Sequence, residues 1–232
     1  MKAKIGENVL RGEHVVIEDN VVIGNNVTIG HHVVIKEGTF IGNDVKIGDM
    51  VVLGKRPSTN KKMARKPQTA LSPLIVGEAS TIGSGAVLYR GSSLDKGAFV
   101  GDLTSIREKV TIGEDSIIGR NVMVENNTKI GSRVTVQTGS YITADMIIED
   151  DVFIGPCCSS SNDKYMGEGN YRHAGPIIKR GAKIGNNATL LPGITIAENA
   201  IIGAGAVVVR NVEKNQTVVG NPAKGISKKK ES

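Results

Sequence analysis

Side chains able to do chemistry are clustered in a few places along this sequence. Val124-Glu125-Asn126 sets a carboxylate beside a carboxamide, a pair that can take up a proton and hydrogen-bond an oxygen of a reacting group. Ser161-Asn162-Asp163-Lys164-Tyr165 gathers an amide, an acid, an ammonium and a phenol. Such a run suits ligand binding, and Asn-Asp is equally turn chemistry. His173 follows in the same stretch; histidines titrate near neutrality, where a general base is useful, although a loop histidine is often only a surface residue. Residues 55–74, KRPSTNKKMARKPQTALSPL, carry six cations, three prolines and no acid. An all-cation stretch repels itself unless something anionic lies near. It reads either as a solvated loop or as a basic arm for a ligand phosphate or a neighbouring subunit. Catalytic zinc requires three ligands in a suitable cluster; beside His14 and His32 only adjacent His31 lies near, and no later histidine falls on the same repeat, so no metal is expected.

These groups are carried by a ladder. From Val76 to Ile154 an aliphatic residue returns at every sixth position: Val76, Ile82, Leu88, Leu94, Val100, Ile106, Ile112, Ile118, Val124, Ile130, Val136, Ile142, Ile148, Ile154. A helical period of about 3.6 does not produce this, and a plain strand period of about 2 would not single out every third inward position. Hexads of this kind build a prism-shaped coil with a short strand on each face. The phase starts at Ile5, slips at Arg11, and runs from Ile17 through Ile23, Ile29, Ile35, Ile41 and Ile47 to Leu53. It resumes at Ile178 and holds to Val208. The second residue of a unit is often glycine (Gly24, Gly30, Gly42, Gly48), where a corner is expected to demand positive φ. The fifth residue is small or branched (Val21, Val27, Val33, Thr39, Val45) and should also point inward. Cys158 holds such a fifth position, so an inert buried thiol is expected; Cys157 beside it makes a poor disulfide partner. Three units per turn and nine to ten turns predict a rod on the order of 45 Å long.

The expected class is therefore all-β, one β-helix domain over residues 1–232. Two excursions are expected, the basic insert at 55–74 and a loop at 159–176, followed by a C-terminal cap and tail at 212–232. Composition agrees: aromatic residues are 3%, Trp is absent and Gly counts 29, unsuited to an ordinary globular core but suited to a narrow tube with tight corners. A net charge of +6 fits phosphate-bearing small ligands, and without a nucleic-acid-reading motif no such partner is expected. No signal-peptide core and no bilayer-spanning run are evident, so no membrane insertion and a cytoplasmic location are expected.

The [LIV]-G-x-x-x-x ladder resembles the hexapeptide-repeat acyltransferases, whose fold is a left-handed parallel β-helix; that handedness comes from the resemblance, because general crossover chirality favours the other hand. The stretch VMVENNTKIGSRVTVQTGSYITADMIIEDDVFIGP, with SSSNDKY and IIKRGAKIGNNATLLPGITIAENAIIGAGAVVV, is similar to N-acetyltransferases acting on amino-sugar nucleotides. The resemblance implies acetyl-CoA as cosubstrate, a nucleotide sugar as acceptor, and a homotrimer with each active site between two subunits. It places Glu125 and Asn126 at the reacting amine, with His173 a further catalytic candidate. Asn162, Asp163, Lys164 and Tyr165 would bind substrate. Gly203, Ala204, Arg210 and Lys224 would lie along coenzyme A, small residues admitting the pantetheine chain and cations facing phosphate. The sequence departs from that family in its extra N-terminal turns and insert, and in Met166-Gly167-Glu168-Gly169 where Pro-Arg-Ser is common. One rival is an O-acetyltransferase of the same fold using His173 as base. The other is a non-enzymatic β-helix scaffold, against which stand outward positions of mixed charge rather than flat threonine arrays.

Overall fold

The computed structural model describes residues 1–63, 66–68, 70–168 and 171–226. Arg65 of the basic insert and the lysines of the tail 227–232 lie outside the described residues. The rest is a parallel β-helix of triangular section, with ten, twelve and ten strands stacked on its three faces. Most strands are two residues long and pair in parallel with the strand 18 residues on, as Ile5 with Ile23 and Ile23 with Ile41. Three hexads thus make one turn. Both ladder positions point inward as expected: Val21, Ile23, Val27, Ile29, Val33 and Ile35 are buried, and so is Thr39.

Every second fifth position through the middle of the coil is a hydroxyl residue. Ser80, Ser92, Thr104, Ser116, Thr128 and Ser140 are buried, and each donates to a backbone carbonyl 15 residues on. A polar atom inside an apolar tube is tolerated because that bond is made. Cys158, another buried fifth-position residue, lies outside this alternation; its Sγ donates to the Gly185 carbonyl at 3.0 Å, and burial pushes the thiol pKa up.

The corner glycines are there for a reason other than the expected one. Left-handed φ falls on the fourth residue of the unit, as at Asn26, His32 and Asp44, and Gly24, Gly30, Gly42 and Gly48 are not among the positive-φ residues. These glycines answer to close approach: a Cβ on Gly24 would sit 2.5 Å from Asn43 Oδ1 and 2.8 Å from the Asn43 backbone nitrogen, one turn on.

The excursions are shorter than 55–74 and 159–176. Lys55 is still in strand Val52–Lys55, paired with Tyr89, and Leu74 is buried as a fifth-position residue. Ser159–Ser160 is also a strand; the inward Ser160 hydroxyl donates to the Tyr141 carbonyl and accepts from the Thr143 N–H, both at 2.9 Å. A buried serine satisfied in this way keeps the ladder where the sequence pattern breaks. At the C-terminus Thr217–Val219 joins the second face, and Lys224–Gly225 turns back antiparallel on it.

Candidate active site

The edge that follows the third face carries Tyr89, Arg107, Glu125, Thr143 and Ser161 at intervals of one turn, because Val87 pairs with Ser105, Ser105 with Met123, Met123 with Tyr141 and Tyr141 with Ser159. Arg107 grips the Glu108 carboxylate with two bonds, Nε to Oε2 at 2.9 Å and Nη2 to Oε1 at 3.1 Å. Its remaining nitrogen, Nη1, reaches Glu125 Oε2 at only 3.4 Å. The Tyr89 ring lies 5.1 Å from the guanidinium carbon and 5.3 Å from the Lys55 ammonium. The Glu108 side chain is 2% exposed and that of Glu125 26%. Glu108 is thus a buried structural counter-charge, and Glu125 is the carboxylate that a ligand can meet.

The basic insert folds back over this edge. Met63, Lys66, Pro67 and Gln68 face Arg107–Lys109 and Glu125–Asn127 across a cleft of about 440 Å³. Its far root is pinned: the buried Arg90 donates to the Glu37 carbonyl at 2.7 Å and the Leu71 carbonyl at 3.4 Å, and the Gly91 N–H donates to the Ser72 carbonyl. Lys109 Nζ donates to Gln68 Oε1 across the gap. Burial raises the Glu125 pKa, the Arg107 charge opposes the rise, and the Glu108 charge adds to it. Tyr141 is raised too, by burial first and then by the charge of Glu125. A carboxylate that favours its proton, half-buried beside an amide in a cleft, is suited to take a proton from a bound ammonium.

The loop residues form a separate cluster. Ser161 stands two turns above Glu125 on the same edge, about 10 Å away by strand spacing. The Asp163 carboxylate accepts the N–H groups of Tyr165 at 2.9 Å and Gly167 at 2.8 Å and the Tyr171 hydroxyl, and its pKa is lowered chiefly by the Tyr171 bond. Tyr171 packs edge-on to Tyr165 at 4.6 Å and against His173 at 5.3 Å, with Lys164 over the Tyr165 ring at 5.7 Å. The Asn162 carbonyl accepts the Ala174 N–H, closing the loop. Within one chain, neither this cluster nor His173 lines the Glu125 cleft.

Towards the C-terminus, Arg210 and Lys224 line one cleft of about 330 Å³ with Gln216 and Val218. Arg210 lies four turns beyond the level of Glu125, roughly 20 Å along the same side. Ala204 is exposed, whereas Gly203 is packed by the cap: a Cβ there would meet Val219 at 2.6 Å, so its glycine serves the fold first. A Cβ on Gly205 would meet nothing within 4 Å, so its left-handed φ rather than close approach favours glycine there. The His14 and His32 rings stack at 4.9 Å, as one turn of separation requires. Among the described residues no three His, Cys, Asp or Glu side chains gather as for a metal ion, and no helix is long and apolar enough to cross a membrane.

Sequence reading missed Arg107, Glu108, Tyr89 and Tyr141. Counting one turn back from Glu125-Asn126-Asn127 lands on Arg107-Glu108-Lys109, so the signal was the 18-residue period applied to outward residues.

Comparison with known proteins agrees with the repeat. The bacterial transferase hexapeptide (six repeats) family model matches residues 2–37, 109–144 and 175–210. A Staphylococcus aureus (strain Mu50) protein carrying an acetyltransferase name is 42% identical over 59 residues, 25% of this chain and 30% of that protein. The serine acetyltransferase of Buchnera aphidicola subsp. Schizaphis graminum is 38% identical over 87 residues, 38% of this chain and 32% of that enzyme. The chain thus spans about a third of the length of these curated relatives. Among solved structures, UDP-N-acetylglucosamine acyltransferase of Francisella novicida superposes with a TM-score of 0.54 at 18% identity, covering 97% of this chain and 65% of that one, which establishes the likeness of fold. With its 18-residue turns and its inward aliphatic ladder, the chain carries the repeat that the bacterial transferase hexapeptide model describes, matched here over residues 2–37, 109–144 and 175–210.

Proposed function

We propose that the chain is an acetyl-CoA-dependent N-acetyltransferase whose acceptor is the amine of a nucleotide-linked amino sugar, and that it works as a homotrimer. The observation that carries this is Glu125, a half-buried carboxylate with raised proton affinity, beside Asn126 in a cleft large enough for a sugar. The acetyltransferase names of its relatives and the Glu-Asn and Asn-Asp-Lys-Tyr motifs support the reaction class. Glu125 takes the proton of the bound ammonium, leaving a neutral amine. The amine nitrogen attacks the thioester carbonyl carbon; the new C–N bond forms as the C–S bond breaks, and the leaving thiolate takes up the proton that the acylated nitrogen sheds. The Asn126 amide is placed to donate to the acceptor or to the carbonyl oxygen. Arg210 and Lys224 offer paired cations for the phosphates of coenzyme A.

The test is acetyl transfer from acetyl-CoA to a panel of nucleotide-linked amino sugars and their hydroxyl counterparts, read by mass and by thiol release. N-acetylated product is expected, with Glu125→Gln lowering turnover about 10²–10⁴-fold, the general-base range, and His173→Ala less than tenfold. Transfer to hydroxyls alone, with the large loss at His173→Ala, would instead establish the O-acetyl reaction.

A further inference from the structure

Two lysines face the Glu125 cleft without an acidic partner. Lys66 comes from the insert and Lys109 from the corner one turn below Glu125–Asn127. Among the described residues neither forms an ion pair, whereas Arg107 is occupied by Glu108 and Glu125. Lys109 instead donates to Gln68, a neutral side chain of the insert. The cleft is therefore polarised. Its inner wall holds a carboxylate whose neighbouring guanidinium is already engaged, and the insert sets Lys66 on the same cleft as Lys109. Two like charges held near one cleft repel until an anion enters. The insert is also not a free arm, since Arg90 and Gly91 tie its root to the coil. A cleft of about 440 Å³ falls within the general range of small-molecule sites.

We propose that Lys66 and Lys109 form a phosphate subsite, so that the acceptor carries a phosphate or diphosphate ester held by these two ammonium groups while its amine faces Glu125. This inference rests on the reading of the cleft as the acceptor site. It assigns the insert a purpose: it closes the cleft and selects a ligand with an amine at one end and phosphate at the other. The same anion could be offered by coenzyme A, so the experiment separates the two donors of phosphate.

A nucleoside diphosphate is titrated calorimetrically into the full chain without acetyl-CoA, comparing wild type with Lys66→Gln, Lys109→Gln and, as a control on the insert outside the cleft, Lys61→Gln. Steady-state KM is then measured for acetyl-CoA, for a nucleotide-linked amino sugar and for the same amino sugar without phosphate. Each cleft variant is expected to weaken diphosphate binding and raise KM for the phosphorylated acceptor roughly tenfold or more, as loss of a charged hydrogen bond does. KM for the phosphate-free sugar and for acetyl-CoA should rise far less, and Lys61→Gln should behave as wild type. A rise confined to acetyl-CoA, an equal effect of Lys61→Gln, or no diphosphate binding by wild type overturns the subsite. If wild type transfers acetyl groups while the cleft variants match it, the subsite alone fails. If diphosphate binding is lost in both variants but no acetyl transfer occurs, the subsite stands and the reaction assignment fails.

Discussion

The Glu125 pKa is raised because burial, with the Glu108 charge, outweighs one long contact to Arg107. The groups around it are Arg107 and Glu108 on the turn below, Tyr141 on the turn above, Tyr89 behind the guanidinium, and Lys66 and Lys109 at the cleft. If ionised Glu125 is the base, the acid limb of kcat/KM lies above the ordinary glutamate range, and its position reports this balance. Glu108→Gln removes a like charge and frees Arg107 for Glu125, so the limb should move to lower pH; Arg107→Met removes the opposing charge, so it should move higher. A pH–rate profile checks both, and shifts of the opposite sign would show that Glu125 is not the titrating base. Stability follows with its own sign. A carboxyl whose folded pKa is raised costs nothing below its unfolded pKa, where both states are protonated, and its full penalty above the folded pKa. Glu125→Gln should therefore raise the melting temperature at pH 7, with the gain shrinking as pH falls through the carboxylate range, even as it removes activity. That pairing of a more stable and less active protein is the mark of a functional group held at a cost to the fold.

At the scale of the hexad, the second and fourth positions do different work. The fourth turns the corner with left-handed φ, and Asn26 or Asp44 tolerates it with a short polar side chain. The second lies against the next turn, so Gly24→Ala should cost about 1–3 kcal/mol through overpacking against Asn43, measured by chemical denaturation; a change within a few tenths would show that the turns can separate. The ladder itself was legible because inward aliphatics repeat at a period that no other element shares. The excursion bounds were not: Ser160 looks like a break, yet its hydroxyl is satisfied inside the tube by Tyr141 and Thr143, and Lys55 and Leu74 belong to the coil despite their place in the irregular run. Glu125 and Asn126 stood out by motif, and both line one cleft. Arg107 and Glu108 did not, because what makes them matter is contact across one turn, invisible to a reading of adjacent residues. Nor does any local pattern say that the insert folds back over that edge.

Seen as a whole, the rod has two unlike ends. The first turn is open: Ile5 is 40% exposed and Arg11 stands where an aliphatic belongs. Its amides still donate to the second turn, Lys4 to the Val21 carbonyl and Gly6 to the Ile23 carbonyl, but its side chains have a neighbouring turn on one side only. The other end is closed by the cap, with Val212 and Val218 buried. In a solenoid each turn is stabilised mainly by its neighbours, so stability should be graded along the axis rather than uniform. Hydrogen exchange followed by mass spectrometry should show residues 4–17 exchanging first and the stretch from 100 to 154 last, with the cap close to the centre in protection. Val218→Asp removes that cover and puts a charge where an apolar side chain is buried. It should extend fast exchange into the last turns and weaken acetyl-CoA binding at the Arg210–Lys224 cleft, while protection around Glu125 and diphosphate binding at Lys66 and Lys109 are kept. Because Val218 lines that cleft, it is fast exchange confined to the last turns, not the loss of acetyl-CoA alone, that would show the two clefts to sit on stretches of the rod that open independently. Simultaneous loss of protection along the whole chain would refute the graded picture and make the rod a single cooperative unit.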